Sequence, residues 1–209
     1  MTLFVLASAS PARLRTLRAA GLDPEVVVSG VDESTIASTS AAALCTTLAR
    51  LKAESVAARL RHHAGDVAAT VVLGCDSVLE FDGEILGKPA SSEDALARWR
   101  QMRGRHGTLH TGHCLVHLGR DEVVAETSAT VVHFADASDA EIAAYVATGE
   151  PLHVAGAFTI DGLGGWFVER IEGDAGTVIG VCLPVVRRLL TQVGVDIAEF
   201  WAAPLTSPV

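Results

Sequence analysis

The sequence predicts a mixed α/β fold forming one domain over residues 1–209, and three observations lead there. Apolar strand-like runs alternate with segments whose leucines recur at helical spacing, and some of the runs join as hairpins. With 209 residues, 49% hydrophobic and 20% charged, the chain can bury a substantial core yet is too short to force two independent domains. No internal repeat, low-complexity tract or linker interrupts it.

The elements follow in order. Leu3 to Ala7 reads as a strand, because no positive charge precedes this short apolar run as it would in a signal peptide. Ser10 caps a helix with Pro11 at its first position, running to Gly21. Val26 to Val28 makes a second strand, and Ser29 to Ser40, with Gly30, Asp32 and Glu33, a polar loop. Leu44, Leu48, Leu51 and Leu60 predict the longest helix, ending near Gly65. Thr70 to Gly74 is a buried strand ending at Asp76, and Val78 to Leu86 a hairpin turning through Asp82 and Gly83. Asp94 to Met102 is helical. Thr108 to Leu118 and Val123 to Phe134 are long strands, joined by the turn at 119–122 and expected to pair antiparallel. Ser138 and Glu141 form a capping box for a helix to Thr148. The glycine-rich stretch from Gly149 to Gly180 reads as functional loop, with apolar pieces around Phe158 and from Trp166 to Ile171. A helix from Pro184 to Gln192 closes the chain.

Charge and cysteine usage narrow the function classes. Sixteen Lys and Arg against twenty-five Asp and Glu leave a formal charge of -9, which argues against nucleic-acid binding but leaves room for a small phosphorylated ligand held by a few local cations. The apolar stretch from Val67 to Cys75 stops at Asp76, far short of the roughly 20 residues of a membrane span. Cys45, Cys75, Cys114 and Cys182 are scattered without a C-x-x-C pair, as expected of reduced thiols in a cytoplasmic protein.

Four constellations could carry chemistry. Ser8-x-Ser10-x-x-Arg13 stands where a strand gives way to a helix, so backbone N–H groups, two hydroxyls and a guanidinium could hold phosphate oxygens; equally, Ser10 is a plain cap and Arg13 a solvated residue. Asp32 and Glu33 are adjacent carboxylates in a polar loop, either metal ligands or a solvated turn. Asp76, just past a buried strand, is placed where ligands bind in α/β sheets and offers a hard oxygen to magnesium or manganese; the plainer reading is an Asx turn cap. Gly87-Lys88-Pro89 fixes an ammonium directly after a strand, without the spacing of a Walker motif. Lys52 borders the apolar stripe of the long helix, where a lysine ordinarily snorkels to solvent. His110 and His113 point to opposite faces of a strand and cannot easily share a zinc ion. Neither G-x-S-x-G nor a strand followed by G-x-G-x-x-G occurs.

Taken together and in order, these pieces resemble the Maf-like pyrophosphatase family. They are Leu6-Ala7-Ser8-Ala9-Ser10-Pro11-x-Arg13, Val31-Asp32-Glu33, Leu48-Ala49-x-x-Lys52-Ala53, Gly74-Cys75-Asp76-Ser77-Val78 and Ile85-Leu86-Gly87-Lys88-Pro89. Later come Arg105-His106-x-x-x-x-Thr111-Gly112, Tyr145-Val146-x-Thr148-Gly149-Glu150-Pro151, Ala155-Gly156-Ala157-Phe158, Ile171-Glu172-Gly173-Asp174 and Leu183-Pro184. The resemblance implies an elongated two-lobed α/β domain of the Maf/ITPase-like type with a mixed sheet and a central cleft. It also implies a divalent cation, Mg2+ or Mn2+, and hydrolysis of a nucleoside triphosphate to the monophosphate and pyrophosphate. By the same resemblance Ser8, Ser10, Arg13, Lys52 and Lys88 bind phosphates, Glu33 and Asp76 hold the metal, and Asp76 is the general base. Base specificity falls to Ala12, Ser77 and Asp161. One branch of the family, acting on thymidine and uridine triphosphates, has arginine, threonine and glutamine there; another, acting on 7-methyl-GTP, has tryptophan, glutamine and glutamate. This chain matches neither set, which leaves the base open. Some members are linked to arrest of cell division, so a non-catalytic nucleotide-binding regulator of septum formation is the alternative, and a homodimer is left open.

Overall fold

The computed structural model describes residues 2–33, 36, 38, 40–63 and 67–201. The expected helix end at Gly65, and residues 34, 35, 37 and 39 of the expected loop, lie outside them. In chain order the elements are β1 (Leu3–Leu6), α1 (Pro11–Ala19), β2 (Glu25–Val26), α2 (Ala41–His63), β3 (Thr70–Phe81), β4 (Glu84–Leu86) and α3 (Ser92–Met102). Then follow β5 (His106–His117), β6 (Glu122–Phe134), α4 (Asp139–Ala147), β7 (Val168–Glu172), α5 (Ala175–Ile179) and α6 (Leu183–Gln192). The fold is mixed α/β, as expected: among the described residues one seven-stranded sheet runs in the order β2-β1-β3-β5-β6-β7, with β4 added to β3. Strand β1 pairs in parallel with β2 and β3, and every other pairing is antiparallel. No helix among the described residues is long and apolar enough to cross a membrane. All four cysteines are buried free thiols.

Two apolar cores share the three long strands. Odd-numbered side chains of β3 pass from one core, where Leu73 and Cys75 meet α1 and α6, into another, where Leu79 and Phe81 meet α3 and α4 around Trp99. On the opposite face lies α2, with Ala49, Ala53 and Val56 against Val72 and Cys114, and Ala41 and Cys45 against Val78. Glycine permits this close approach. A Cβ at Gly74 would stand 2.2 Å from the Ala49 carbonyl oxygen, and one at Gly112 would stand 2.3 Å from the Cys45 backbone. Helix α2 therefore lies on bare sheet backbone.

The register corrects one expectation. Strand β3 does not stop before Asp76 but continues to Phe81, because β5 pairs with it without a break and Asp76 stands opposite Gly112. What does stop is β1, whose last partner on β3 is Leu73, while β4 joins only at Leu79. Between them the β1-side edge of β3 has no strand beside it. Within the glycine-rich stretch, besides three short 3-10 turns, one piece is a strand and one an α-helix rather than loop. The ladder to β6 makes β7 a strand, and Asp174 caps α5 through the Thr177 N–H.

His113 is fully buried, and its Nε2 accepts the Cys182 N–H that would otherwise be left over at the start of α6. Burial, helped by the nearby Arg13 guanidinium, pushes its pKa down to about 4. The unfolded chain takes up a proton near pH 6.5 that the folded protein refuses until about pH 4. Stability should therefore be highest above pH 6.5 and fall across that window by up to about 3 kcal/mol. His113→Gln, which keeps an acceptor without titrating, should remove this part of the acid loss in urea unfolding curves. For the helix seat, Gly112→Ala should cost about 1–3 kcal/mol through overpacking, read as a lower urea midpoint at unchanged slope. An unchanged midpoint would mean that α2 has room to move.

Candidate active site

A cleft of about 760 Å³ opens at the gap between β1 and β4. Ser8, Ser10, Ala12, Arg13, Glu33, Lys52, Asp76, Ser77, Lys88 and Asp161, every site residue expected from the sequence, line it. The fold thus brings all of them together. Asp32 is exposed and is not part of the lining.

The α1 end is built from its own cap. Ser10 accepts the Arg13 N–H and Pro11 occupies the first helical position, while Ser8 accepts from the Ser10 N–H at 3.2 Å. Arg13 is no solvated helix residue. Its Nε donates to the Gly180 carbonyl, Nη1 to Ser8 Oγ and to the free Cys75 carbonyl of the β3 edge, and Nη2 to Ser77 Oγ. One guanidinium thereby ties α1, β3 and the end of α5 together. Ser77 also shares a hydrogen bond with Thr111, which donates to the Thr177 carbonyl.

On the α2 face stands a three-charge cluster. Lys52 Nζ lies 2.6 Å from Asp76 Oδ1 and 2.7 Å from Glu33 Oε1. The lysine is buried and does not snorkel, because the two carboxylates draw its ammonium inward. Asp76 is no turn cap either, since it sits within a strand and its side chain meets Lys52. Burial pushes its carboxyl pKa up, against the pull of Lys52 and Arg13, and Glu33 adds a further upward push. Lys88 stands exposed at the cleft and makes no ion pair among the described residues.

The far end is formed by side chains that the sequence reading missed. Arg15 pairs with Asp161 at 3.0 Å, and the Thr159 hydroxyl donates to the same carboxylate. Glu150 and His153 also line the cleft. Arg15 lies one helical turn from Ala12, a spacing that was visible, but its partner is 146 positions away. A second hollow of about 550 Å³, between Glu80, Asp82 and Arg105, is lined by groups that largely pair with one another: Arg105 with Asp82, and His110 with Glu80.

Comparison with known proteins places these features in context. The family model described as Maf-like protein matches residues 3–193. A protein of Salinispora tropica named nucleoside triphosphate pyrophosphatase is 62% identical over 198 residues, covering 95% of this chain and 87% of the relative. Proteins of the same name from Streptomyces coelicolor and Nocardia farcinica are 55% and 56% identical; they cover 95% and 96% of this chain and 94% and 97% of their own lengths.

The charge cluster makes a stability prediction. Lys52→Met removes the cation and strands a buried carboxylate, so it should cost about 3 kcal/mol at pH 8. With its partner gone, the Asp76 pKa rises further above that in the unfolded chain. The folded state then binds the extra proton as pH falls, and the deficit should shrink toward pH 5. Thermal unfolding at the two pH values reads this, and a deficit independent of pH would show that the pair is not electrostatically coupled.

Proposed function

The chain belongs to the Maf-like protein family, and on that premise we propose that it hydrolyses nucleoside triphosphates to the monophosphate and pyrophosphate in this cleft, with Asp76 as general base. The observation that carries the reading is a buried, ion-paired carboxylate at a strand edge, surrounded by hydroxyls and cations suited to phosphate oxygens. A raised pKa makes Asp76 a better proton acceptor than an ordinary carboxylate. In the proposed step it takes a proton from water as the water oxygen bonds to the α phosphorus. The bond from that phosphorus to the bridging oxygen breaks, and its electron pair leaves with pyrophosphate.

The remaining side chains bind and orient. Ser8 and Ser10 accept bonds from the protein but keep their own O–H groups to donate, at the positive end of α1. Arg13, with four hydrogen bonds to the protein, positions Ser8 and lends its charge to the phosphate side. Lys88 offers a point charge from the wall after β4. Asp161 with Arg15, beside Ala12, faces the base, whereas the Ser77 hydroxyl is committed to Arg13 and Thr111.

The donor set suits Mg2+ or Mn2+. Glu33 and Asp76 already converge on one cation, the Lys52 ammonium, and magnesium is ordinarily held by one or two carboxylates together with substrate phosphates and waters. A divalent ion there would supply charge neutralisation on the phosphate oxygens. Four buried free thiols fit a cytoplasmic protein.

The test is product analysis with normal and modified nucleoside triphosphates in magnesium or manganese. Monophosphate and intact pyrophosphate should appear together, and activity should vanish in excess EDTA and return with metal. Asp76→Asn should fold yet lose about 10²-fold or more in kcat. A diphosphate and inorganic phosphate as first products, or an Asp76→Asn protein at near wild-type rate, would defeat the assignment.

A further inference from the structure

We propose that Glu150 is a positioning residue for base recognition, building and holding the loop that brings Asp161 to the cleft while leaving the phosphate end untouched. This rests on the reading that the base lies against Asp161.

Glu150 follows α4 directly, after Gly149 at φ 80°, a left-handed turn that suits glycine. Its carboxylate then gathers three donors. Oε1 accepts from the Tyr145 hydroxyl at 2.9 Å and from the Gly164 N–H at 2.8 Å, and Oε2 accepts from the Leu163 N–H at 3.0 Å. Gly162 and Gly164 lie so close to this group that a side chain at either position is excluded. A Cβ at Gly162 would lie 2.4 Å from Glu150 Oε2, and one at Gly164 would lie 2.4 Å from the Tyr145 hydroxyl. Burial, and then Glu150 itself, push the Tyr145 phenol pKa up, so the phenol keeps the proton it donates.

The same loop carries the cleft-lining Thr159, Asp161 and Gly162, and through Arg15 the Asp161 carboxylate reaches across to α1. An amide could not replace the carboxylate fully. It has one accepting oxygen for three donors and would set an NH₂ against a backbone N–H. None of the groups proposed for the phosphates takes part in this network. Ser8, Ser10 and Arg13 are fixed by α1, β3 and the end of α5, and Lys52 by Glu33 and Asp76. Loss of Glu150 should therefore be felt by the base and not by the triphosphate.

The experiment compares wild type, Glu150→Ala and Glu150→Gln on ATP, GTP, CTP, UTP and dTTP, with inorganic tripolyphosphate as a competitive inhibitor that lacks a base. Glu150→Ala should raise KM for the preferred nucleotide about tenfold or more and flatten the ranking of the five, with kcat changed less than about threefold. Its inhibition constant for tripolyphosphate should stay within about twofold of wild type, and Glu150→Gln should fall between the two proteins. Unaltered KM and ranking in Glu150→Ala would overturn the proposal. So would tripolyphosphate inhibition weakened by the same factor as KM, because that marks general damage to the fold. A wild-type protein that cleaves no nucleoside triphosphate, normal or modified, would instead overturn the underlying functional reading, and this would be seen before any variant is compared.

Discussion

The Lys52 ammonium between Glu33 and Asp76 is the interaction on which the rest of the site depends. A carboxylate as buried as that of Asp76 is costly to keep charged, and its raised pKa records that cost. The cation that offsets it comes from a neighbouring element, the helix α2, which sits deep on the sheet. Gly74 and Gly112 supply the depth by removing the side chains on which α2 would otherwise rest. The chemistry of the cleft is thus tied to two positions whose contribution is the absence of a side chain.

The sheet places these groups. Because β1 ends opposite Leu73 and β4 pairs with β3 only from Leu79 onward, a short length of β3 keeps an open edge, and that edge is the floor of the cleft. Arg13 takes the Cys75 carbonyl left there, so the unsatisfied backbone and the cleft have one origin. On the other face of the same strand, Ser77 and Thr111 fix the approach of α5.

Features encoded locally could be read from the sequence. The Ser10-Pro11 cap, the Asp82-Gly83 hairpin and the Ser138–Glu141 capping box each depend on residues within a turn of one another, and each stands as expected. The misplaced end of β3 has the opposite cause: what extends the strand past Asp76 is β5, a partner about thirty residues away. Strand β7 was hidden for a similar reason, since Val168–Glu172 is mostly exposed and charged, and its ladder to β6 makes it a strand. The residues named from motif order do line one cleft, but their relationships were not legible. Nothing in spacing says that Lys52 turns inward to Asp76, or that Asp161 is held by Arg15 from the other end of the chain.

The continuity of β3, β5 and β6 also decides how the two halves can move. Each strand, twelve or thirteen residues long, runs unbroken from one core into the other, so the cleft spans a rigid ladder rather than a flexible junction. Jaw-like closure would require breaking rows of interstrand hydrogen bonds, and the sheet offers only twist as a soft coordinate. The groups lining the cleft are consequently pre-organised, and any opening of the cleft falls to the loops around its rim, among them the stretch that carries Asp161.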